Sequence, residues 1–374
     1  MEAVNGTAPK RRVRTFQTAV DRWAGVGPYY AMFPVDFALD VIEQYTQPGD
    51  RVLDPFVGRG SSIYAAAVKG RTGCGMEINP VGWIYSTVKL RPTTQGRILN
   101  RLRDIERKAA GINIEQAKLP TFFDWAYAPR VLRFLLAARE NLRWVESKID
   151  RTLMALILVC LHGKRSSSLS NQMRDSKAMA PDYSVAWWME REMRPPDIDP
   201  IAFMDQRIAW RYKKGKPDLA GDVLLGNSID LLTSNRWQAL DEPFDLLFTS
   251  PPYRGVTNYH YDQWLRLWML GQPPSPQRRG GRWQRKFESQ SDYRELLVRV
   301  FKGSARKMRD DAIVFVRTDA RSYTLSTTIE ALHEAFPDKE FSEKRRPVLK
   351  HTQTALYGDY SKKPGEVDIV LTPK

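Results

Sequence analysis

Arg51-Val52-Leu53-Asp54-Pro55-Phe56-Val57-Gly58-Arg59-Gly60-Ser61-Ser62 reads as a short apolar strand that runs through a glycine-bearing turn into a helix. The helix continues as the alanine-rich run to Lys69 and is stopped by Gly70. A ligand lying over the carboxyl ends of parallel strands needs backbone without side chains beneath it, and Gly58 and Gly60 supply that. The helix start behind them offers free amide groups to a carboxylate or a phosphate. Asp54, at the strand end, is placed to accept a hydrogen bond from an amino group. A Gly-x-Gly turn can equally serve only to pack a helix against a strand. The third glycine of a dinucleotide fingerprint is absent, with Ile63 in its place, which disfavours a nicotinamide cofactor.

Outward from that turn the same rhythm repeats. Upstream, Val35, Phe37, Leu39 and Ile42 form an apolar segment of helical length that ends near Pro48-Gly49. Downstream, Gly73 to Glu77 is a second strand, and Asn79-Pro80 provides a cap and a first-turn proline for the next helix. Glu77 ends its strand where folds of this kind use an acid to grip ribose hydroxyls. Alternation of this sort predicts an α/β fold, a parallel sheet covered by helices. From 94 to 220 the pattern becomes helical, with Pro129 to Val145 and Lys148 to Leu161 among the segments, and reads as an insertion. Strands resume at Asp222 to Leu225, Phe244 to Ser250, Ala312 to Arg317 and Val367 to Leu371, with a helix over Tyr293 to Met308. One domain made of 1–93 and 221–374, interrupted by the helical region 94–220, accounts for both halves. Within it, 272–291 is rich in Pro, Gly and Arg and is expected to be a mobile basic loop.

The strand Phe244 to Phe248 opens into Thr249-Ser250-Pro251-Pro252-Tyr253. Methyl transfer to an exocyclic amine needs just such a set. The amine lone pair is delocalised into the ring, and acceptors aimed at the amine hydrogens stabilise the charge that grows on nitrogen. The Ser250 side chain and the Pro251 carbonyl are suitable acceptors, and the two prolines hold that carbonyl without offering a competing amide. Tyr253 adds a flat face. A target base must leave the duplex stack at a cost of about a few kcal/mol, and stacking on an aromatic ring returns roughly 1 to 3 kcal/mol.

Taken together, these segments resemble the S-adenosylmethionine-dependent DNA amino-methyltransferase family. Asp54-Pro55-Phe56 with its turn is similar to motif I, Phe33-Pro34 with the following helix to motif X, and Thr249 to Tyr253 to the form of motif IV typical of cytosine-N4 enzymes. Adenine-N6 enzymes more often begin that motif with Asp or Asn. The resemblance covers about residues 28 to 90 and 221 to 374. It implies a Rossmann-like class I methyltransferase sheet, mostly parallel with a C-terminal antiparallel strand. It also implies S-adenosyl-L-methionine as cofactor, held by Asp54, Phe56, Gly58, Gly60, Ser61 and Glu77, and catalysis by Ser250, Pro251, Pro252 and Tyr253. Gly226-Asn227-Ser228 falls at motif III, whose polar residue contacts the cofactor adenine; asparagine stands there in place of the usual acid. The implied partner is double-stranded DNA with its target base flipped out, and a cognate restriction endonuclease is a companion such enzymes can have. Adenine-N6 methylation and methylation of an RNA amine remain open, because the same tetrad chemistry serves both. Motif I ahead of motif IV with a long insertion departs from the order commonest among cytosine-N4 enzymes.

At 374 residues and 42% hydrophobic content the chain can fill such a domain. Its 58 basic residues against 43 acidic ones leave a charge of +15, which points to a polyanionic partner. That charge alone would also suit a catalytically silent nucleic-acid-binding module on the same fold. In the insertion, His162, Lys164, Arg165, Ser166 to Ser168, Asn171, Gln172, Arg174 and Lys177 form a polar stretch able to contact phosphates and base edges, or simply a solvated loop. Arg278, Arg279, Arg282, Arg285 and Lys286, and the basic run Lys10 to Arg14, are expected phosphate contacts. Tyr259 and His260 fit either a base pocket or the core, and Trp187-Trp188 fits the core better than a stacking platform. Cys74 and Cys160 have no metal-ligand or disulfide spacing, so no metal site is expected, and neither is placed as the nucleophile that carbon-5 methylation requires. No apolar run reaches the length of a membrane span and none follows the basic N-terminus, so a cytoplasmic protein is expected.

Overall fold

Val52, Leu53, Leu246, Leu247 and Phe248 are fully buried, and successive residues point to opposite faces of one sheet, so a strand covered on both sides reads as a continuous apolar run. The computed structural model describes residues 16–27, 34–165, 167–234, 237–254, 259–277, 289–346 and 365–374. Its seven strands are β1 (Arg51–Asp54), β2 (Thr72–Glu77), β3 (Gly221–Leu225), β4 (Phe244–Thr249), β5 (Met308–Asp319), β6 (Lys339–Arg346) and β7 (Glu366–Pro373). They form a single sheet in the order β3-β2-β1-β4-β5-β7-β6. Strand β7 runs antiparallel to both its neighbours, and the pairings from β3 across to β5 are all parallel. The sheet is therefore the expected one, mostly parallel with an antiparallel strand at the C-terminus.

In chain order the helices are α1 (Ala19–Ala24), α2 (Val35–Tyr45), α3 (Ser61–Val68), α4 (Pro80–Leu90), α5 (Gln95–Ala109), α6 (Phe122–Ala126), α7 (Pro129–Asn141) and α8 (Lys148–Cys160). They continue as α9 (Pro181–Glu190), α10 (Pro200–Tyr212), α11 (Ser228–Thr233), α12 (Tyr259–Asp262), α13 (Trp264–Met269), α14 (Gln290–Ala305) and α15 (Ser322–Ala335). Ala38, Val41 and Ile42 of α2 and Ala65 and Ala66 of α3 cover one face of the sheet over Val52, Leu246, Phe248 and Phe315. Residues of α11, α14 and α15 cover the other, over Leu53, Met76, Leu247, Val314 and Val316. Helices α5 to α10 lie in the stretch between α4 and β3, and their apolar faces share one core with α1, α3 and α4.

Asn79 caps α4 with proline at its first position, as the sequence predicts: the Asn79 side chain accepts from the Val81 amide at 3.0 Å. Strand β6, Lys-Glu-Phe-Ser-Glu-Lys-Arg-Arg, had no counterpart in the sequence reading. It is an edge strand among the described residues, with no buried position, so it lacks the apolar period by which the others are legible. Strand β3 forms the opposite edge. There Trp83 Nε1 and Arg91 Nη2 donate to the carbonyls of Val223 and Gly221, both at 2.7 Å, and close off part of that edge.

Candidate active site

The chain leaves β3 at one edge of the sheet and returns to pair β4 against β1. In parallel sheets a reversal of this kind opens a crevice at the carboxyl ends of the two central strands. Here those ends are Asp54 and Thr249, and Thr249 Oγ1 donates to Asp54 Oδ1 at 2.6 Å. Asp54 Oδ1 also accepts from the Phe56 amide at 2.9 Å, and Oδ2 accepts from the Ser62 hydroxyl. The carboxylate is thus a brace that ties β1, the turn, α3 and β4 together, with one further lone-pair direction on Oδ2. It is 2% exposed, and burial raises its pKa to about 6 against the opposing pull of those three donors.

Glu77 does the same for the second strand. Its carboxylate accepts from the Gly58 amide at 2.6 Å and the Asn79 amide at 2.7 Å, and burial raises its pKa to about 7. The Gly226 amide donates to the Glu77 carbonyl at 3.0 Å, and the Ser228 hydroxyl donates to the Pro55 carbonyl. Asn227 therefore sits at the end of β3 beside the turn, with its Oδ1 accepting from the Ile229 amide at 3.2 Å. Phe56 packs against the core of the α14 face, and Ser61, 4% exposed, opens α3.

Two close approaches shape the turn. Gly60 has φ of +82°, and a β-carbon there would lie 2.6 Å from Ser86 Cβ. A β-carbon on Gly82 of α4 would lie 2.6 Å from the Gly58 carbonyl oxygen and 3.0 Å from Glu77 Cγ. Gly82→Ala must push the turn away from α4. The expected result is a loss of roughly 1 to 3 kcal/mol of stability, the usual range for overpacking, together with weaker cofactor binding. Thermal melting and calorimetric titration check both, and an unchanged affinity would mean that the turn does not hold the cofactor.

The residues fit an adenosine-bearing cofactor on their own chemistry. Two buried carboxylates stand at adjacent strand ends, the Gly58–Gly60 turn lies between them, and Gly60, the residue before α3, has no side chain to cap that helix.

On the other side of Asp54 stands the tetrad. Ser250 Oγ donates to Tyr253 Oη at 3.3 Å, and Tyr253 Oη donates to Glu366 Oε1 at 3.3 Å. Pro251 is buried, while Ser250, Pro252 and Tyr253 are half-buried. Glu366 begins β7 opposite Asp319, the last residue of β5. Along the rim the order is thus Glu77, Asp54, Thr249 with Ser250, then Glu366, following the sheet order. Adjacent strands lie about 4.8 Å apart, so Glu77 and the tetrad stand two strands, about 10 Å, from one another. Sequence reasoning missed the Thr249 brace, the Ser62 and Ser228 hydrogen bonds and Glu366. The hydroxyls lie within or beside recognised motifs, but nothing in the sequence identifies their partners.

The polar stretch from His162 to Lys177 divides in two. Lys164 and Arg165 are exposed and Arg174 is half-buried. His162, Ser168 and Asn171 are buried, with Asn171 Nδ2 donating to the carbonyls of Trp125 and Met193 at 3.1 and 3.2 Å. Asn171 thereby ties the stretch to the segments at Trp125 and Met193. Burial lowers the pKa of His162 well below the usual histidine range, and its Nδ1 lies 2.7 Å from the Arg174 carbonyl oxygen. Trp188 is core, with Nε1 donating to the Gln172 carbonyl at 2.9 Å. Arg278, Arg279, Arg282, Arg285, Lys286, Lys10 to Arg14, Ser166 and Phe33 lie outside the described residues, as do the side chains of Tyr259 and His260. Both cysteines are buried, which pushes Cys74 up to about 12 and Cys160 to about 11 and keeps them as inert thiols. Among the described residues no group of His, Cys, Asp and Glu could hold a metal ion, and no helix is long and apolar enough to cross a membrane.

Residues 5–81 match the profile of a family described as DNA methylase. The chain is similar to the type II methyltransferase M.MvaI of Kocuria varians, 23% identical over 256 residues, covering 64% of this chain and 55% of the relative. It is also similar to the type II methyltransferase M.AvaI of Nostoc sp., 25% identical over 270 residues, covering 65% and 53%. The chain thus spans about half the length of the relatives it matches. Among solved structures, the rRNA methyltransferase AviRa of Streptomyces viridochromogenes aligns over 97% of this chain and 95% of its own at 11% identity, with a TM-score of 0.36.

Proposed function

We propose that this chain, which belongs to the S-adenosylmethionine-dependent DNA amino-methyltransferase family, transfers a methyl group to the exocyclic N4 of cytosine in duplex DNA. The observation that carries the reading is the 2.6 Å hydrogen bond from Thr249 to Asp54, which joins the loop of amine acceptors to the glycine turn at the reversal point of the sheet. S-adenosyl-L-methionine, when bound, supplies an electrophilic methyl group. Glu77 grips the ribose, the Gly58 and Gly60 backbone lies beneath the cofactor, Phe56 and Ser61 line it, and Asn227 meets the adenine. Asp54 holds the turn and offers its remaining lone pair toward the methionine amino group.

Ser250 Oγ and the Pro251 carbonyl accept the two hydrogens of the target amine and draw its lone pair out of ring conjugation. Pro252 keeps the backbone rigid, and Tyr253 stacks on the flipped base. The serine at the head of the tetrad favours cytosine over adenine. DNA recognition is assigned to the insertion 94–220 through Lys164, Arg165 and Arg174. Arg278, Arg279 and Arg282, in the segment between α13 and α14, add phosphate contacts without sequence preference.

Incubation with labelled cofactor and duplex DNA, followed by digestion to nucleosides, tests this. N4-methylcytosine is the expected product. N6-methyladenine would move the reading to adenine, and label on RNA in a direct competition would move it to an RNA amine. DNA binding without any transfer would leave only a binding module.

A further inference from the structure

We infer that Glu366 is a positioning residue for the transfer, acting through Tyr253 to set the direction in which the Ser250 hydroxyl donates. The inference rests on the proposed reaction and adds a residue that no motif contains. A carboxylate only accepts hydrogen bonds. Tyr253 has a single hydroxyl hydrogen, and at 3.3 Å it points to Glu366 Oε1. The Tyr253 oxygen is then left as an acceptor, and it takes the single hydrogen of Ser250, also at 3.3 Å. Both hydrogens are committed outward, away from the amine. The lone pairs of Ser250 are what remains, and those are what the amine hydrogens require.

Reversal of this chain would turn Ser250 from an acceptor into a competing donor. Hydrogen bonds arranged in series reinforce one another, so the carboxylate at the end also makes Ser250 a better acceptor.

Glu366 is itself held. Arg317 Nη1 lies 3.5 Å from its Oε2, and Arg317 is locked by a two-pronged pair with Asp368 at 2.6 and 3.0 Å. The same guanidinium stacks 3.5 Å over the Phe37 ring of α2, and Arg346 of β6 also pairs with Asp368. The chain from Ser250 thus ends on a cluster that crosses β5, β7 and β6. It also pins the far end of the Tyr253 ring.

The test is a double-mutant cycle on Tyr253→Phe and Glu366→Ala in the full chain. Each single variant is expected to lower kcat about tenfold, which is about 1.4 kcal/mol in the barrier. KM for DNA and affinity for the cofactor should stay at the parent values, because the ring and the turn are intact. The double variant should be no slower than either single one, since both break the same chain. Additive losses, a loss confined to KM, or a Tyr253→Phe enzyme as fast as the parent would each overturn the inference while leaving the methylation reading in place. A parent protein that methylates no nucleic acid amine would sink both together.

Discussion

Ser250→Ala is expected to lower the rate of methyl transfer by about a hundredfold or more while cofactor affinity stays at the parent value. Removal of one preorganised hydrogen-bonding group aimed at developing charge typically costs about 10²–10³ in rate. Ser250 is such a group in this reading, an oxygen that meets an amine hydrogen only as the nitrogen becomes positive. Its side chain takes no part in the braces that shape the turn, which belong to Thr249, Ser62 and the backbone. Binding and chemistry should therefore separate cleanly. The measurement is a single-turnover rate at saturating DNA and cofactor, with calorimetry on the cofactor alone. A rate within threefold of the parent would remove Ser250 from the reaction, and a large loss of cofactor affinity would place it in the wrong pocket.

The second large effect is on pH. Asp54 and Glu77 have folded-state pKa values raised by burial to about 6 and about 7, above their ordinary values of 3.8 and 4.5. The folded state then holds protons that the unfolded chain releases, and stability falls as pH rises. The contribution of these two groups is complete below about pH 4 and is lost as pH climbs through 6 and 7. Between pH 5.5 and 8 the two together should destabilise the cofactor-free protein by about 3 kcal/mol.

Cofactor binding carries the opposite sign. Ribose hydroxyls and a cationic ligand favour the ionised carboxylates, so affinity should rise from pH 6 to 8 with protons released on binding. Titration in buffers of different ionisation enthalpy reads that release directly. Glu77→Gln should flatten the lower-affinity limb, and a pH-independent Kd would show that neither acid faces the ligand.

Much of this centre is legible in the chain because its parts are local. Gly58 and Gly60 follow a strand within four to six residues of Asp54, and Ser250 to Tyr253 follow another without a gap. Strands β1 and β4 are buried on both faces, so their apolar runs stand out. What the chain conceals is adjacency. Thr249 and Asp54 are 195 residues apart, and only the pairing of β4 with β1 makes them neighbours. Glu366 is hidden for the same reason, reaching Tyr253 across 113 residues from the first position of a strand whose apolar residues begin only at Val367. Between α8 and α9, His162, Asn171 and Ser168 have the composition of a solvated loop, yet their hydrogen bonds run to backbone within the fold. Residue type cannot distinguish a polar group that meets water from one that meets a carbonyl.

The two margins of the sheet bear on how the protein behaves when concentrated. An open strand with flat, unpaired backbone is a template on which a second molecule can add, the usual start of edge-to-edge aggregation. At β3 the outward carbonyls of Gly221 and Val223 are already taken by Arg91 and Trp83. At β6, Lys344, Arg345 and Arg346 follow one another along the strand, and charged side chains on an open edge oppose the addition of a neighbour. Neither margin invites a stranger, and preparations at high concentration should stay free of fibrous precipitate for that reason.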